Sequence, residues 1–418
     1  MVMKIGIIGS GISGLSIANL LKDKHDVQVF EKEQQPGGLI KCERVQDCLF
    51  HKVGGHVFNS KNEKVLNWFW GHFDKDSEFV KVKRNAKVFF NNSIIGYPIE
   101  NYVYLMKPSL VKDITKELLE LSKRPGKSPF EYENFELFLK GNFGQTLFDI
   151  YFQPYNYKIW KTDLGTISME WLEGKLPMPD YAEILYSNII RIEEEKMVHA
   201  SFFYPKDGGS QFIVDRFKKE LQIHSGAAVN VVTEMEGHLE VNGASFDKLI
   251  YCGDIRKLPA FCKSILAESD VDVAYLENLR SNGTSNLFCE TDATDVSWLY
   301  IPESFTEAHR IIYTGNFSSS NNKGSKRTTC VVEFSGKVSY EKMLEESKKL
   351  PGNLKALACN YEPNSYVIQD NRTREEVGKA KKALEKRGIY LLGRFAEWEY
   401  YNMDKAIEAA FSLAEHFD

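Results

Sequence analysis

The chain has 418 residues, enough for roughly two or three structural units around a sizeable core. Hydrophobic residues make up 43% and charged residues 27%, the composition of a globular protein rather than a disordered one. Lys and Arg number 53 against 58 Asp and Glu, a net charge of −5 that gives no electrostatic basis for nucleic acid or an anionic membrane as the main partner.

No apolar run approaches the ~20 residues of a membrane span. Met1-Val2-Met3-Lys4 leads straight into Ile5-Gly6-Ile7-Ile8, too short a stretch for a secretory signal. The seven cysteines are scattered without a C-x-x-C pair, so neither a metal site nor a disulfide framework is expected and a reducing, cytoplasmic setting is.

Lys4 to Ile8 reads as a short buried strand. Gly9-Ser10-Gly11-Ile12-Ser13-Gly14 follows, then an apolar helical stretch from Leu15 to Lys22, then a strand, Val27-Gln28-Val29-Phe30, ending in Glu31. Strand, G-x-G-x-x-G, helix, strand and acid are the dinucleotide fingerprint in its required context. Gly9 serves the tight turn, Gly11 the approach of backbone to a pyrophosphate, and Gly14 the close packing of helix on strand. The helix N-terminus offers N–H groups to the phosphates, and Glu31 can accept from ribose hydroxyls. Pro36-Gly37-Gly38-Leu39 comes directly afterwards. This E-x(4)-P-G-G pattern resembles the second glycine motif of FAD proteins in the amine oxidase and mutase group and points to FAD as cofactor.

Val53-Gly54-Gly55-His56 places an imidazole where two glycines let it lie against a flat ring. Residues 79–98 alternate like strands and end in Tyr97-Pro98. From Pro108 to about Tyr186 the pattern is helical (Val111 to Leu121, Phe135 to Leu139, Thr146 to Phe152, Met169 to Leu172) and crowded with aromatics. Phe202 to Gly209 reads as a strand and turn, Val229 to Val232 with Leu239 to Val241 as a hairpin, and Lys248 to Cys252 as a buried strand. Further strands are predicted at Trp298 to Ile301, Arg310 to Thr314 and Thr328 to Phe334, with a mobile polar loop from Ser318 to Lys326. A helix near Tyr340 to Leu350 precedes strand Tyr390 to Leu392, Gly393-Arg394 and a last helix from Met403 to His416. That ending predicts a return of the C-terminus to the first unit, its helix dipole facing the N1–C2=O edge of a reduced flavin.

Several segments together resemble UDP-galactopyranose mutases, particularly the eukaryotic branch. They are Val53 to Val57, Tyr97 to Asn101, Pro154-Tyr155-Asn156-Tyr157-Lys158-Ile159-Trp160, Tyr204-Pro205 with Gly208-Gly209, Trp298 to Glu303, His309-Arg310 through Ser318, and Gly393-Arg394 with Trp398 to Asp404. The resemblance implies an α/β fold: a Rossmann-like FAD domain (1–85, 200–260, 380–418), an inserted helical domain (105–195) and an antiparallel β-sheet substrate domain (86–104, 261–379). It also implies that reduced FAD attacks the anomeric carbon of a UDP-hexopyranose through N5 and expels UDP, so that the sugar can reclose as a furanose. The substrate would be a UDP-sugar serving polysaccharide assembly, and an external reductant would keep the flavin reduced. By matching position, His56 and Arg310 are the catalytic residues, with Arg310 on the diphosphate. Cofactor contacts are expected from Gly9, Ser10, Gly11, Ser13, Gly14, Glu31, Lys32, Gly38, Leu39, Gly55, His56, Val229, Gly393, Arg394, Asn402 and Met403. Tyr97, Asn156, Trp160, Phe203, Tyr300, Arg310, Phe317, Tyr366 and Trp398 would line the substrate pocket.

Two positions depart from the family pattern. Phe203 stands where an arginine usually pairs with the first on the diphosphate, and Phe317 where a tyrosine is expected. At ~1.5–3 kcal/mol per charged hydrogen bond, the loss at a diphosphate would be substantial. Lys206 could replace the arginine only as a point charge. Two other readings follow: an amine-oxidase-like oxidoreductase on the same FAD fold, acting on a small amine or other reduced substrate, and a flavin-binding relic with a collapsed pocket.

Overall fold

Five parallel strands carry the nucleotide fingerprint, in the order Ile389–Leu391, Lys248–Tyr251, Lys4–Ile8, Asp26–Glu31 and Gln222–Ser225. The computed structural model describes residues 1–124, 126–172, 178–191 and 201–417. Ile5, Ile7, Val29, Leu249 and Ile250 are sealed from solvent, as strands covered on both faces must be. The helix Ile12–Leu21 packs on this sheet beside the helix Met403–Ala414, with Ile17 and Ala18 sharing a core with Ala410 and Leu413. One layer is thus assembled from the start, the middle and the end of the chain.

A second sheet has seven strands, ordered 355–367, 281–291, 328–335, 308–312, 298–300, 86–90 and 93–96. Every pairing is antiparallel except 298–300 with 86–90, which is parallel. Helices Pro108–Ser122, Phe135–Leu147, Gln153–Trp160 and Tyr181–Ile190 cover it through an aromatic core that includes Phe135, Phe138, Phe143, Phe148 and Trp160. Gly144, at φ 86°, breaks the second of these helices. A Cβ there would sit 2.3 Å from Glu117 Oε2, the carboxylate that accepts from the Thr146 N–H at 2.9 Å and its hydroxyl at 2.8 Å.

Three expectations need correction. The small hairpin pairs Val232–Met235 with His238–Val241, leaving 229–231 outside it. Met169 to Leu172 supplies only a short turn, Glu170–Leu172. The polar loop 318–326 is anchored rather than loose: buried Asn321 donates to Tyr204 Oη at 3.0 Å and to the Thr314 carbonyl at 2.8 Å, and Ser318 Oγ donates to the Lys206 carbonyl at 2.6 Å. Composition alone marks such a run as a loop, while its side-chain amides supply the anchors. Among the described residues, no helix is long and apolar enough to cross a membrane, no cluster of His, Cys, Asp and Glu could hold a metal, and all seven cysteines are free.

The helical layer is fastened to the sheet by one buried cation. Lys158 Nζ, on the helix Gln153–Trp160, donates to the carbonyls of Ile301 at 2.9 Å, Glu303 at 2.5 Å and Ala308 at 3.0 Å. These carbonyls flank the hairpin of 298–300 and 308–312, so Lys158 substitutes for solvent at backbone groups the helix has covered. Lys158→Met should lower unfolding stability by about 3 kcal/mol, the cost of several unsatisfied carbonyls. Lys161→Met, on an exposed neighbour, should leave it unchanged. Urea titrations of both variants make the comparison, and equal midpoints would remove Lys158 as the fastener.

Candidate active site

The two glycine motifs face each other across a cradle. Gly9 turns at φ 109°, its N–H bonded to the Phe30 carbonyl at 2.8 Å, and a Cβ on Gly14 would lie only 2.0 Å from the Gly9 oxygen. A Cβ on Gly38 would come within 3.1 Å of Gly11 Cα, so any side chain would fill the space between the motifs. Glu31 Oε2 accepts from the Ser10 N–H at 2.9 Å and hydroxyl at 2.5 Å, and Oε1 from the Glu33 N–H at 2.9 Å. A carboxylate has further lone pairs for ribose hydroxyls. From the C-terminal segment, Gly393 (φ 102°) approaches Ser13 so closely that a Cβ would stand 2.7 Å from Ser13 Oγ. Lys32 is exposed and 3.8 Å from Glu33, and Val229 is half-buried beyond the sheet. Next to the cradle, Asn402 precedes the helix Met403–Ala414 without capping it, leaving N–H groups at its positive end. A dinucleotide ending in a flat, anionic ring fits this donor set.

A polar row crosses the seven-stranded sheet above the cradle. Tyr300 stands opposite Arg310, Arg310 opposite Glu333, Glu333 opposite Asn286, and Asn286 opposite Asn360. Directly opposed residues share a face of the sheet, so the row is continuous. Glu333 is fully buried; one oxygen binds Arg310 Nε and the other accepts from the Gly54 N–H at 2.7 Å. Asn360 Nδ2 holds the Lys52 carbonyl at 2.7 Å. The row therefore grips the glycine loop that carries His56.

From the other side the loop rests on His51. The His56 N–H donates to His51 Nδ1 at 3.2 Å, which fixes the ring proton on Nε2, and Nε2 donates to Tyr204 Oη at 2.7 Å. Gly55 must be small, since a Cβ would strike Ile312 at 2.8 Å and Trp298 Nε1 at 3.0 Å. His56 Nε2 is sealed from solvent with no protein partner.

The cavity where these elements meet measures about 240 Å³. Of the residues expected here, Leu39, Gly55, His56, Tyr300, Arg310, Tyr366, Arg394, Asn402 and Met403 line it. Tyr97 lies behind Tyr300, ring centroids 4.9 Å apart, and Trp160 behind Tyr366 at 5.7 Å. Asn156 donates back to the Phe152 carbonyl at 2.8 Å and is not part of the lining.

Beyond these, three further expected pocket residues are elsewhere. Strand alternation turns Phe202 into the cavity and Phe203 away from it, against Trp70 and under Lys75 Nζ at 4.7 Å. Phe317 is core, packed among Trp298, Phe202, Tyr204 and His51. Trp398 is fully buried, its Nε1 bonded to the Ile368 carbonyl at 3.1 Å and its ring covered by Arg256. Lys206 is no substitute for an arginine at the cavity: its Nζ binds the Asp76 carbonyl at 2.7 Å on the exposed surface. Sequence reasoning missed Arg84, Trp298, Tyr400 and Asp404 as lining residues and Glu333 as support. An acid inside the apolar run Cys330 to Phe334 was a usable signal for Glu333. Arg84, ending the basic run Lys81-Val82-Lys83, carried none.

Burial shapes the titration of this region. Desolvation pushes His51 and His309 down to about 4 and His56 to about 3, the Glu333 charge opposing it in each case. Burial also opposes the Glu333 charge, but Arg310 and His309 outweigh it and hold the carboxyl well below its usual range. The unfolded chain takes up histidine protons near 6.5, so between about 4 and 6.5 it binds more protons than the folded chain, and stability rises with pH across that window. The urea midpoint should therefore fall on acidification from pH 7 to 4.5. A flat profile would contradict neutral, buried imidazoles.

Residues 7–73 match the family described as an NAD(P)-binding Rossmann-like domain. The UDP-galactopyranose mutase of Mycoplasma genitalium is 22% identical over 98% of this chain and 93% of its own length. A probable UDP-galactopyranose mutase of Klebsiella pneumoniae is 25% identical over 65% of this chain and 71% of its own, and the dTDP-fucopyranose mutase of Escherichia coli 22% over 58% and 63%. The crystal structure of a reduced UDP-galactopyranose mutase superposes with a TM-score of 0.87 at 21% identity, covering 100% of this chain and 94% of that one. A putrescine oxidase variant superposes at 0.64 with 12% identity, covering 100% and 99%. In sequence over nearly its whole length, and in fold, the chain is a homologue of the UDP-galactopyranose mutases.

Proposed function

We propose that the protein is an FAD-dependent mutase that interconverts the pyranose and furanose forms of a UDP-hexose, galactose first among them. In this reading residues 1–85, 200–260 and 380–418 hold FAD, 105–195 form the helical domain, and 86–104 with 261–379 present the sugar nucleotide. The observation that carries it is the placement of Arg310. Its Nε is committed to Glu333, and its remaining N–H groups, without partners among the described residues, stand at a cavity shared with the flavin-side loop.

Reduced FAD, when bound, supplies a nucleophilic N5 to the anomeric carbon. The protein's part is positioning and charge. Glu333 keeps the Arg310 fork oriented, so the charge developing on a departing diphosphate meets a donor that needs no reorganisation. Tyr300 and Tyr366 offer ring faces and hydroxyls to the sugar nucleotide. Neutral His56 brings an unpartnered ring nitrogen to the cavity. The positive end of the helix Met403–Ala414, which lies at the cavity, would stabilise an anionic ring held there, and the aromatic wall of Trp298, Phe202 and Tyr400 would keep water from competing for the sugar. An external reductant is required once to charge the flavin, because the isomerisation is redox-neutral.

The oxidase reading fits this cavity poorly. Arg84, Arg310 and Arg394 line it, and three guanidiniums repel a substrate ammonium. Dithionite-reduced protein should convert UDP-galactofuranose to UDP-galactopyranose, while the oxidised protein should not. Absence of both turnover and UDP binding in the reduced protein would overturn the proposal.

A further inference from the structure

Besides Arg310, the cavity contains a second cation whose donors the protein leaves largely unspent. Arg84 follows the strand Phe79–Lys83 and reaches Tyr300, donating from Nη2 to Tyr300 Oη at 2.7 Å. Its guanidinium lies over the Trp298 ring, 5.1 Å from the centroid. Its Nε is sealed from solvent and has no partner, and it forms no ion pair with a carboxylate among the described residues. The other two guanidiniums are differently employed. Arg394 binds the Ser365 carbonyl at 3.1 Å and the Tyr401 carbonyl at 3.1 and 2.5 Å, so it acts as a structural pin. Arg310 is paired through Nε with Glu333. Arg84 alone combines a full charge, a sealed N–H and a single neutral acceptor.

Such a group is costly to keep in a protein that never fills it. Its surroundings also say where the filling belongs. Tyr300, which holds Arg84, stands directly opposite Arg310 on the neighbouring strand, and the charge of Arg310 is felt at Arg84. Two like charges held on either side of one tyrosine, in one cavity, are reconciled by an anion between them. Resting on the mutase reading, the geometry points to Arg84 as a second diphosphate-binding side chain, acting with Arg310 on the UDP leaving group. Phe203, turned away from the cavity, then leaves no deficit: the second fork comes from a different strand end. Planar forks on two sides can share the charge of both phosphates, which a single arginine cannot.

The test is titration of FAD-loaded protein, oxidised and reduced, with UDP and with uridine, for the wild type, Arg84→Met, Arg84→Lys and Arg310→Lys. Arg84→Met should weaken UDP binding tenfold or more and leave uridine affinity and FAD content unchanged. Arg84→Lys, which keeps the charge and loses the fork, should fall between Met and wild type, and it carries the test if the Met variant does not hold FAD. UDP affinity of Arg84→Met within twofold of the wild type would overturn the inference. An equal loss for UDP and uridine would overturn it too, as would a shifted flavin absorbance spectrum with UDP affinity intact, which would place Arg84 against the cofactor. A wild type that binds no UDP in either redox state would instead sink the mutase reading itself.

Discussion

A single buried carboxylate organises this site. Glu333 lies with no exposed surface in the middle of a seven-stranded sheet, and a charge there is tolerated only because its oxygens are satisfied on two sides. One oxygen takes the N–H of Gly54, on a loop built by the nucleotide-binding layer, and the other takes Arg310, on the adjacent strand. The glycine loop that carries His56 and the arginine of the neighbouring strand are thereby held in register by one rigid group. An apolar side chain at 333 would fill the volume and lose both attachments.

Aromatic rings supply what hydrogen bonds cannot, the shape of the cavity. Trp298 touches Phe202 and Phe317, lies under Arg84 and crowds Gly55. It therefore sets how near the loop and the sheet can come. The two glycines at 54 and 55 follow from that proximity: Gly54 adopts φ 67° beneath the His56 ring, and Gly55 has no room for a Cβ. The high aromatic content is a large core that extends into the walls of a site.

Much was legible in the sequence where a local rule controls the outcome. The fingerprint at Gly9 to Gly14, the acid at 31 and the second glycine motif at Gly37-Gly38 work over a few residues, through backbone angles and close approach. Strand assignments held where apolar runs were short and bounded. They failed at the long strands 281–291 and 355–367, whose polar residues face other parts of the protein rather than alternating cleanly with apolar ones. The polar loop at 318–326 misled for the reverse reason, since its asparagines are anchors that only the folded neighbours Tyr204 and Thr314 can use.

The sequence by itself determined a nucleotide-binding α/β layer, a helical insertion rich in aromatics, and the motifs that resemble mutases. These depend on contacts near in the chain or on patterns that recur within families. Tertiary structure alone decided which side chains share the cavity. Strand parity turned Phe202 inward and Phe203 outward; a hydrogen bond from Trp398 Nε1 to the Ile368 carbonyl held that ring in the core; and strand pairing aligned Tyr300, Arg310 and Glu333 in one row. Arg84 joins them across more than 200 positions of sequence. No local pattern records such a meeting, because the charge and the space it answers are created only when the sheet closes against the nucleotide-binding layer.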